Sequence, residues 1–324
     1  MEEVAAIIPN WNRADLLARA LESLSRQTRR CARILVVDGG STDSSRETAR
    51  RYGAELLALP SNRGFAAAVN AGVAAARTPW LWILNNDVEA DPLCLQALLE
   101  RASAAHASFA APRLLRRDDP SRIDGCYDLL ARSGCAWRAG AGAPDGPLFS
   151  QPRRIRFAPF TAVLLRRELF DRAGPLDERF GSYYEDVDFC LRCALLGFHG
   201  VYVPEARALH HGSATHGAWS ASMVELVSRN QLLLAAKHFP AAWWWRVLAG
   251  QLLWGSLALR RGRLLAWLRG KARGLFAAPA LRRSCRPRRA LLEPLLAECE
   301  TEIRLLQQAT RPEPYWRLYF AVAP

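Results

Sequence analysis

The chain has 324 residues, half of them hydrophobic, which fits one large domain or one domain with an extension and is enough to build a sizeable core. Eight cysteines are scattered and only Cys190 and Cys193 form a close pair, so no zinc ligand set is complete and their i, i+3 spacing suggests core packing in a reducing compartment. The net charge of +13 is local: residues 237–289 hold thirteen Lys and Arg and no acid, residues 290–324 sum to −2, and residues 1–236 carry only +2.

The chain starts "MEEVAAIIPN", where acids precede a short apolar run; this does not match a signal peptide, and a cytoplasmic protein is expected. "VAAII" reads as a strand, and "ADLLARALESLSRQ" sets Leu17, Ala20, Leu21 and Leu24 on one helical face. "RILVVD" is a second strand, followed by "GGST" turn material and a helix whose start, Ser44 with Glu47, matches a capping box. "AELLAL" and "WLWIL" give two more strands around the small-residue helix "FAAAVNAGVAAAR". Strands alternating with helices predict an α/β fold with a mostly parallel sheet flanked by helices. The pattern weakens from 110 to 156, then "FAPFTAVLLRRELF" reads as a strand running into a helix.

In such sheets ligands bind beyond the carboxyl ends of the strands. Those ends carry Pro9 and Asn10, then Asp38, then Asn85, Asn86 and Asp87. Each is ordinary as a loop residue; together at one rim they predict a site. A single carboxylate beside an amide can hold a divalent cation through oxygen, with waters and substrate phosphates completing the shell, and Asp87 suits that role. Asp38 suits a nucleobase or ribose. "SNRGF" offers Arg63 as a phosphate or base contact and Gly64 for close backbone approach, although Asn-Arg-Gly is also common turn chemistry.

"YYEDVDFCLRC" places Glu185, Asp186 and Asp188 at a helix start, where acids are favoured by the macrodipole, and Asp188 with Arg192 forms an i, i+4 pair. Asp186 falls at i−4 and i−7 from Cys190 and Cys193, so it is expected to point inward. Of His210 and His211 in "RALHHGS", one is a candidate metal ligand. Tyr183, Tyr184 and Trp219 are candidates for acceptor or sugar contacts, with core packing as the alternative.

The ordered set "AAIIPNWNRADLLARALESLSRQ", "ILVVDGGSTDSS", "NRGFAAAVNAG", "LNNDVEADP", "YYEDVDFCLRCALLGF" and "VPEARALHHGS" resembles family 2 glycosyltransferases, in particular the rhamnosyltransferase-like bacterial branch, over residues 4–239. The resemblance implies a GT-A (Rossmann-like) fold and an inverting enzyme that uses a nucleotide-sugar donor, UDP- or dTDP-linked, with a divalent cation, Mn2+ or Mg2+. It implies a base-binding role for Pro9 and Asp38, metal binding for Asp87 at the end of the DXD-like motif and for His210, and a catalytic base at Asp186. The motif stands here as Asn85-Asn86-Asp87, leaving one carboxylate, and Gly39 replaces the family's usual amide after Asp38.

Residues 1–236 are thus expected to form the catalytic domain and residues 237–324 a basic, helical extension. Five of the eleven tryptophans, Trp243, Trp244, Trp245, Trp254 and Trp267, lie in the acid-free stretch. Aromatic and Leu residues interleaved with Arg favour a helix lying on an anionic membrane surface, at the inner face of the plasma membrane, and suit a glycan or lipid-linked acceptor there. A span or re-entrant hairpin over 241–259 is weakened by Arg246, Gly250, Gln251, Gly255 and Ser256, and nucleic acid is the less favoured partner. Other functional readings are a nucleotidyltransferase, or a non-catalytic nucleotide-sugar-binding or scaffold protein.

Overall fold

A computed structural model describes residues 2–212, 219–284, 289–310 and 312–323. Arg286 and Arg288 of the basic stretch, and residues 213–218 after the His pair, lie outside the described residues. The chain divides into two compact units, Met1–Tyr127 with Gly140–Gly212 and Asp128–Ala139 with Ser213–Pro324.

The first unit begins with the expected alternation: β1 (Val4–Asn10), α1 (Ala14–Ser25), β2 (Arg33–Asp38), α2 (Ser45–Arg51), β3 (Glu55–Ala58), α3 (Phe65–Ala76) and β4 (Trp80–Leu84). β5 (Val88–Ala90), α4 (Cys94–Ala104), β6 (Phe109–Arg116) and β7 (Ile123–Gly125) follow. After β8 (Asp128–Leu130) and β9 (Ala136–Arg138), which belong to the second unit, the chain returns as β10 (Arg153–Ile155), β11 (Ala162–Arg166), α5 (Glu168–Ala173), α6 (Glu185–Leu195) and β12 (Gly200–His210).

The main sheet runs β10-β12-β6-β11-β4-β1-β2-β3, with β5 on β12 and β7 on β6. β3, β2, β1 and β4 are parallel, as are β6 and β12. β11 is inserted antiparallel between β4 and β6, a pairing that strand–helix alternation does not reveal. The period of two sends alternate side chains to opposite faces. Ala6 and Ile8 of β1 and Trp80 and Trp82 of β4 join Leu17 and Leu21 of α1 and Leu95 and Leu98 of α4 in one core, while Ile7 and Val37 face α3. Trp80 and Trp82 are 1% and 0% exposed, and burying each large apolar side chain contributes roughly 1.5–3 kcal/mol.

One local expectation fails. Ser44 makes no side-chain cap; Asp43 accepts from Ser45 N–H at 3.0 Å and from Ala14 N–H at 2.9 Å, so one carboxylate serves the starts of both α1 and α2. A carboxylate with two oxygens can do both where a hydroxyl cannot.

The second unit contains the β8–β9 hairpin, α7 (Ala221–His238), α8 (Trp244–Arg260), α9 (Leu264–Ser284), α10 (Arg289–Ala309) and α11 (Pro314–Val322). It starts before the 236/237 boundary suggested by charge because α7 packs on α9. Gly270 and Gly274 make that contact possible: a Cβ at Gly270 would collide with the Glu225 carbonyl, and one at Gly274 would press on the Arg229 carbonyl at 3.0 Å. α10 holds the hairpin through Glu300, which accepts from Arg132 N–H and Arg132 Nε at 2.8 Å each and from the Tyr319 hydroxyl at 2.8 Å. Among the described residues, α8 over 244–260 included, no helix is long and apolar enough to cross a membrane.

Candidate active site

Three strand ends meet as expected. Asn10 and Asp38 are register partners in the parallel β1–β2 pair, and both are buried. Asn86 Nδ2 donates to Asn10 Oδ1 at 2.7 Å, linking the end of β4 to that of β1, while Asn10 Nδ2 lies 3.3 Å from Ser41 Oγ and 3.5 Å from Asp38 Oδ1. Asp38 Oδ2 accepts from Ser41 N–H at 3.1 Å and Arg46 Nε at 2.7 Å. Burial alone would raise the Asp38 carboxyl, but the Ser41 and Arg46 donors outweigh it and hold it below the usual carboxylate range. Asp38 is therefore an ionised acceptor at neutral pH. Pro9 is half-buried beside this pair, and Trp11, which periodicity passed over, is 44% exposed immediately after Asn10.

Asp87 sits in the turn between β4 and β5. Antiparallel β5–β12 pairing sets Val88 opposite His210, and His211 N–H donates to the Asp87 carbonyl at 3.1 Å. That register brings His210 Nε2 to 3.3 Å from Asp87 Oδ1, with His210 Nδ1 2.8 Å from Asp124 Oδ2 on β7. Strand alternation sends His211 elsewhere, to Glu89 at 2.9 Å, so His210 is the one of the two that faces Asp87. Burial would push His210 down, but Asp124 and Asp87 outweigh it and raise it to about 9, so it is an imidazolium at neutral pH.

Asp87 Oδ1 is buried and accepts no directed hydrogen bond, and Asn85 Oδ1 is likewise without a partner. A buried carboxylate oxygen and an imidazole nitrogen that converge without a well-directed hydrogen bond between them fit a divalent cation that would take the place of the imidazole proton. Among the described residues no three His, Cys, Asp or Glu side chains gather into a complete cage. The shell around Asp87 and His210 would need water or ligand oxygens to complete it.

The acids of α6 are arranged differently from expectation. Asp186 is only half-buried; the inward acids are Glu185 and Asp188, at 5% and 0% exposure. Periodicity placed Asp186 with Cys190 and Cys193, but α6 is packed on most of its circumference, so that stripe does not single out one buried face. Asp186 Oδ1 accepts from Val187 N–H at 2.8 Å and Oδ2 from Phe160 N–H at 3.3 Å. Asp188 pairs with Arg192 at 2.9 Å as the spacing predicts. Glu185 is pushed well above the ordinary carboxyl range by burial first and by Asp186 second, and its Oε2 has no partner. Tyr183 and Tyr184 both have positive φ, 68° and 72°, at the start of α6. Non-glycine residues held there store strain, which commonly marks functional backbone.

Phe160 and Thr161 tie the two regions together. Asn85 N–H donates to the Thr161 carbonyl at 2.8 Å, next to the Phe160 N–H that reaches Asp186.

Arg63 and Gly64 lie at the start of α3, where Arg63 pairs with Glu178 at 2.8 Å. Gly64, with φ of 91°, admits the Gly181 backbone, which a Cβ would meet at 2.9 Å. Ala66 N–H also donates to the Gly181 carbonyl at 2.9 Å. The close approach foreseen at Gly64 is thus made by the chain itself. Trp219 stacks on Trp254 with centroids 5.7 Å apart, within the second unit's core, as the packing alternative holds.

The family model for glycosyl transferase family 2 matches residues 5–174. The chain is 34% identical over 269 residues to an N-acetylglucosaminyl-diphospho-decaprenol L-rhamnosyltransferase of Mycobacterium tuberculosis, covering 75% of this chain and 87% of that one. It is 26% identical to a validoxylamine A glucosyltransferase of Streptomyces hygroscopicus, over 84% of this chain and 69% of that protein. Among solved structures, GalNAc-T7 with UDP, GalNAc and Mn2+ superposes with a TM-score of 0.62 at 15% identity, covering 78% of this chain and 51% of that one. A Pyrobaculum calidifontis mannosyltransferase in complex with GDP-Man and Mn2+ gives 0.55 at 16% identity, covering 99% and 86%. At such identities these structures show the fold, which is GT-A. The chain belongs to glycosyltransferase family 2 and is a rhamnosyltransferase-like glycosyltransferase.

Proposed function

We propose that this glycosyltransferase is inverting and cation-dependent, and that it moves a hexose such as rhamnose from a UDP- or dTDP-linked donor to a lipid-linked glycan acceptor at an anionic membrane surface. The carrying observation is the convergence of the buried Asp87 Oδ1 and His210 Nε2, 3.3 Å apart, at the rim shared with Asn10 and Asp38.

Asp38, kept ionised by Arg46, accepts hydrogen bonds from the nucleoside, with Asn10 and Pro9 beside it and exposed Trp11 as a stacking face for the base. Asp87 and His210 would hold Mn2+ or Mg2+, which supplies Lewis-acid neutralisation of the diphosphate. The acceptor hydroxyl oxygen attacks the anomeric carbon opposite the leaving diphosphate, and Asp186 takes its proton as the carbon–oxygen bond to the diphosphate breaks. Burial, and Asp186 after it, raise the Glu185 carboxyl well above its ordinary range, so Asp186 is the better placed of the two to accept a proton. The kinship to a transferase acting on a diphospho-decaprenol acceptor supports the acceptor class. The acid-free run of Lys and Arg at 237–289 supports peripheral attachment to the inner face of the plasma membrane, on the cytoplasmic side.

The test is release of nucleoside diphosphate from a panel of nucleotide-sugars with and without Mn2+, for the native chain and Asp87→Ala. Release should require Mn2+ and vanish in the folded variant. An Asp87→Ala protein whose nucleoside diphosphate affinity still rises with Mn2+ would overturn the metal assignment.

A further inference from the structure

A cavity lies wholly within the helical unit. Its volume is about 380 Å³, within the ~300–1,000 Å³ range of small-molecule sites, and Leu232, Ala235, Phe239, Val247, Leu275 and Ala278 form its walls. Its lining comes from α7 and its C-terminal end, α8 and α9, and it contains no acid; among the described lining residues the one charged group is Arg282. Arg282 Nη1 donates to the Phe239 carbonyl at 2.9 Å, leaving other guanidinium donors for a ligand.

The lip is apolar as well. Trp244 and Leu275, both lining residues, are 57% and 55% exposed, and Trp245, Leu248 and Leu252 continue the exposed surface along α8. A contiguous patch of large apolar side chains left in water marks a surface that is covered in use. A second copy of the chain is a poor cover. A two-fold contact sets the same patch against itself, and residues 237–289 carry cations without one acid. Charge complementarity selects an anionic amphiphile.

We infer that this cavity binds the isoprenoid chain of a polyprenyl diphosphate, with Arg282 at the diphosphate end. An apolar cavity with one guanidinium in its lining matches a hydrocarbon chain ending in a phosphate, and does not match a sugar or nucleotide, which needs several polar partners. The choice of isoprenoid over fatty acyl chain rests on the lipid-linked acceptor proposed above.

The experiment is equilibrium dialysis of the full chain with radiolabelled geranylgeranyl diphosphate in the absence of donor. Saturable binding is expected, retained by Asp87→Ala and weakened at least tenfold by the cavity-filling Ala278→Phe or, should that variant misfold, Ala236→Leu. Arg282→Gln should weaken geranylgeranyl diphosphate more than geranylgeraniol. Mn2+-dependent donor breakdown should stay native in Ala278→Phe, which separates failure of this site from failure of the active-site reading. Unchanged binding by a folded cavity-filling variant overturns the inference. So does displacement of the probe by inorganic diphosphate alone, or by palmitate as effectively as by the isoprenoid.

Discussion

Replacing Asp186 by Asn separates a general base from a helix-start acid. The carboxylate accepts two backbone N–H groups, from Val187 at 2.8 Å and from Phe160 at 3.3 Å. Asn has one oxygen, so one of these donors must face the amide NH2. Phe160 is 2% exposed, and leaving its N–H unpaired costs about 1–3 kcal/mol. Against a typical stability of ~5–15 kcal/mol the variant remains folded. Loss of general-base catalysis is worth ~10²–10⁴ in rate, about 3–5 kcal/mol of barrier. Asp188→Asn should show the reverse pattern. It breaks a buried pair with Arg192, which costs ~3–5 kcal/mol when one partner goes, and the low end applies because Arg192 also donates to the Ala173 and Pro175 carbonyls. Its rate per folded molecule should stay near native. Glu185→Gln, which keeps the size of a carboxyl whose protonated form is favoured by burial, should change both quantities least. The assay pairs urea unfolding with single-turnover transfer to N-acetylglucosamine linked to a polyprenyl diphosphate. Transfer by Asp186→Asn within tenfold of native would refute the assignment and return this acid to a structural role.

Further outcomes follow from the site geometry and the charge distribution. Trp11→Ala should weaken nucleoside diphosphate binding by ~1–3 kcal/mol, the worth of base stacking, with little change in unfolding midpoint; fluorescence titration measures it. His210 is raised to about 9, so its ion pairs in the cation-free protein stabilise fully below pH 6.5 and that contribution is lost as pH rises through 9. Since binding a cation requires the neutral imidazole, Mn2+ affinity should rise by about tenfold per pH unit on approaching pH 9, and a flat profile in calorimetric titrations would exclude His210 as a ligand. Sedimentation with vesicles should show binding to anionic but not neutral lipid at low salt, weakened near physiological ionic strength, where charges are screened beyond ~8 Å; equal binding to both would remove the electrostatic component.

The strand ends were legible because buried parallel strands read as apolar runs that stop abruptly, and Asn10, Asp38 and Asn86 do converge. The partner of Asp87 was not legible from periodicity. It depends on β5 pairing with β12, where residues 88 and 210 become opposite through a register that no local pattern encodes. The orientation of Asp186 was misread for a related reason: two tyrosines with positive φ start α6, and neighbours on several sides bury Glu185 and Asp188 instead. Gly64 was recognised as a place of close approach, but the approaching group comes from residue 181, far along the chain. Tight α7–α9 packing at Gly270 and Gly274 likewise requires knowing which helices meet.

The Phe160–Thr161 step gives the active site a fixed gauge. One neighbour sets Asn85 through a carbonyl and the other holds Asp186 through an N–H, on either side of a single trans peptide whose Cα atoms are ~3.8 Å apart. The proposed base Asp186 is therefore anchored one peptide away from the anchor of the Asn85 loop, on the opposite side of that link. Surrounding loops can change length and chemistry, altering which acceptor is admitted, without resetting that interval. An insertion within the dipeptide would shift one anchor against the other, so tolerance to length change should fall sharply at this point.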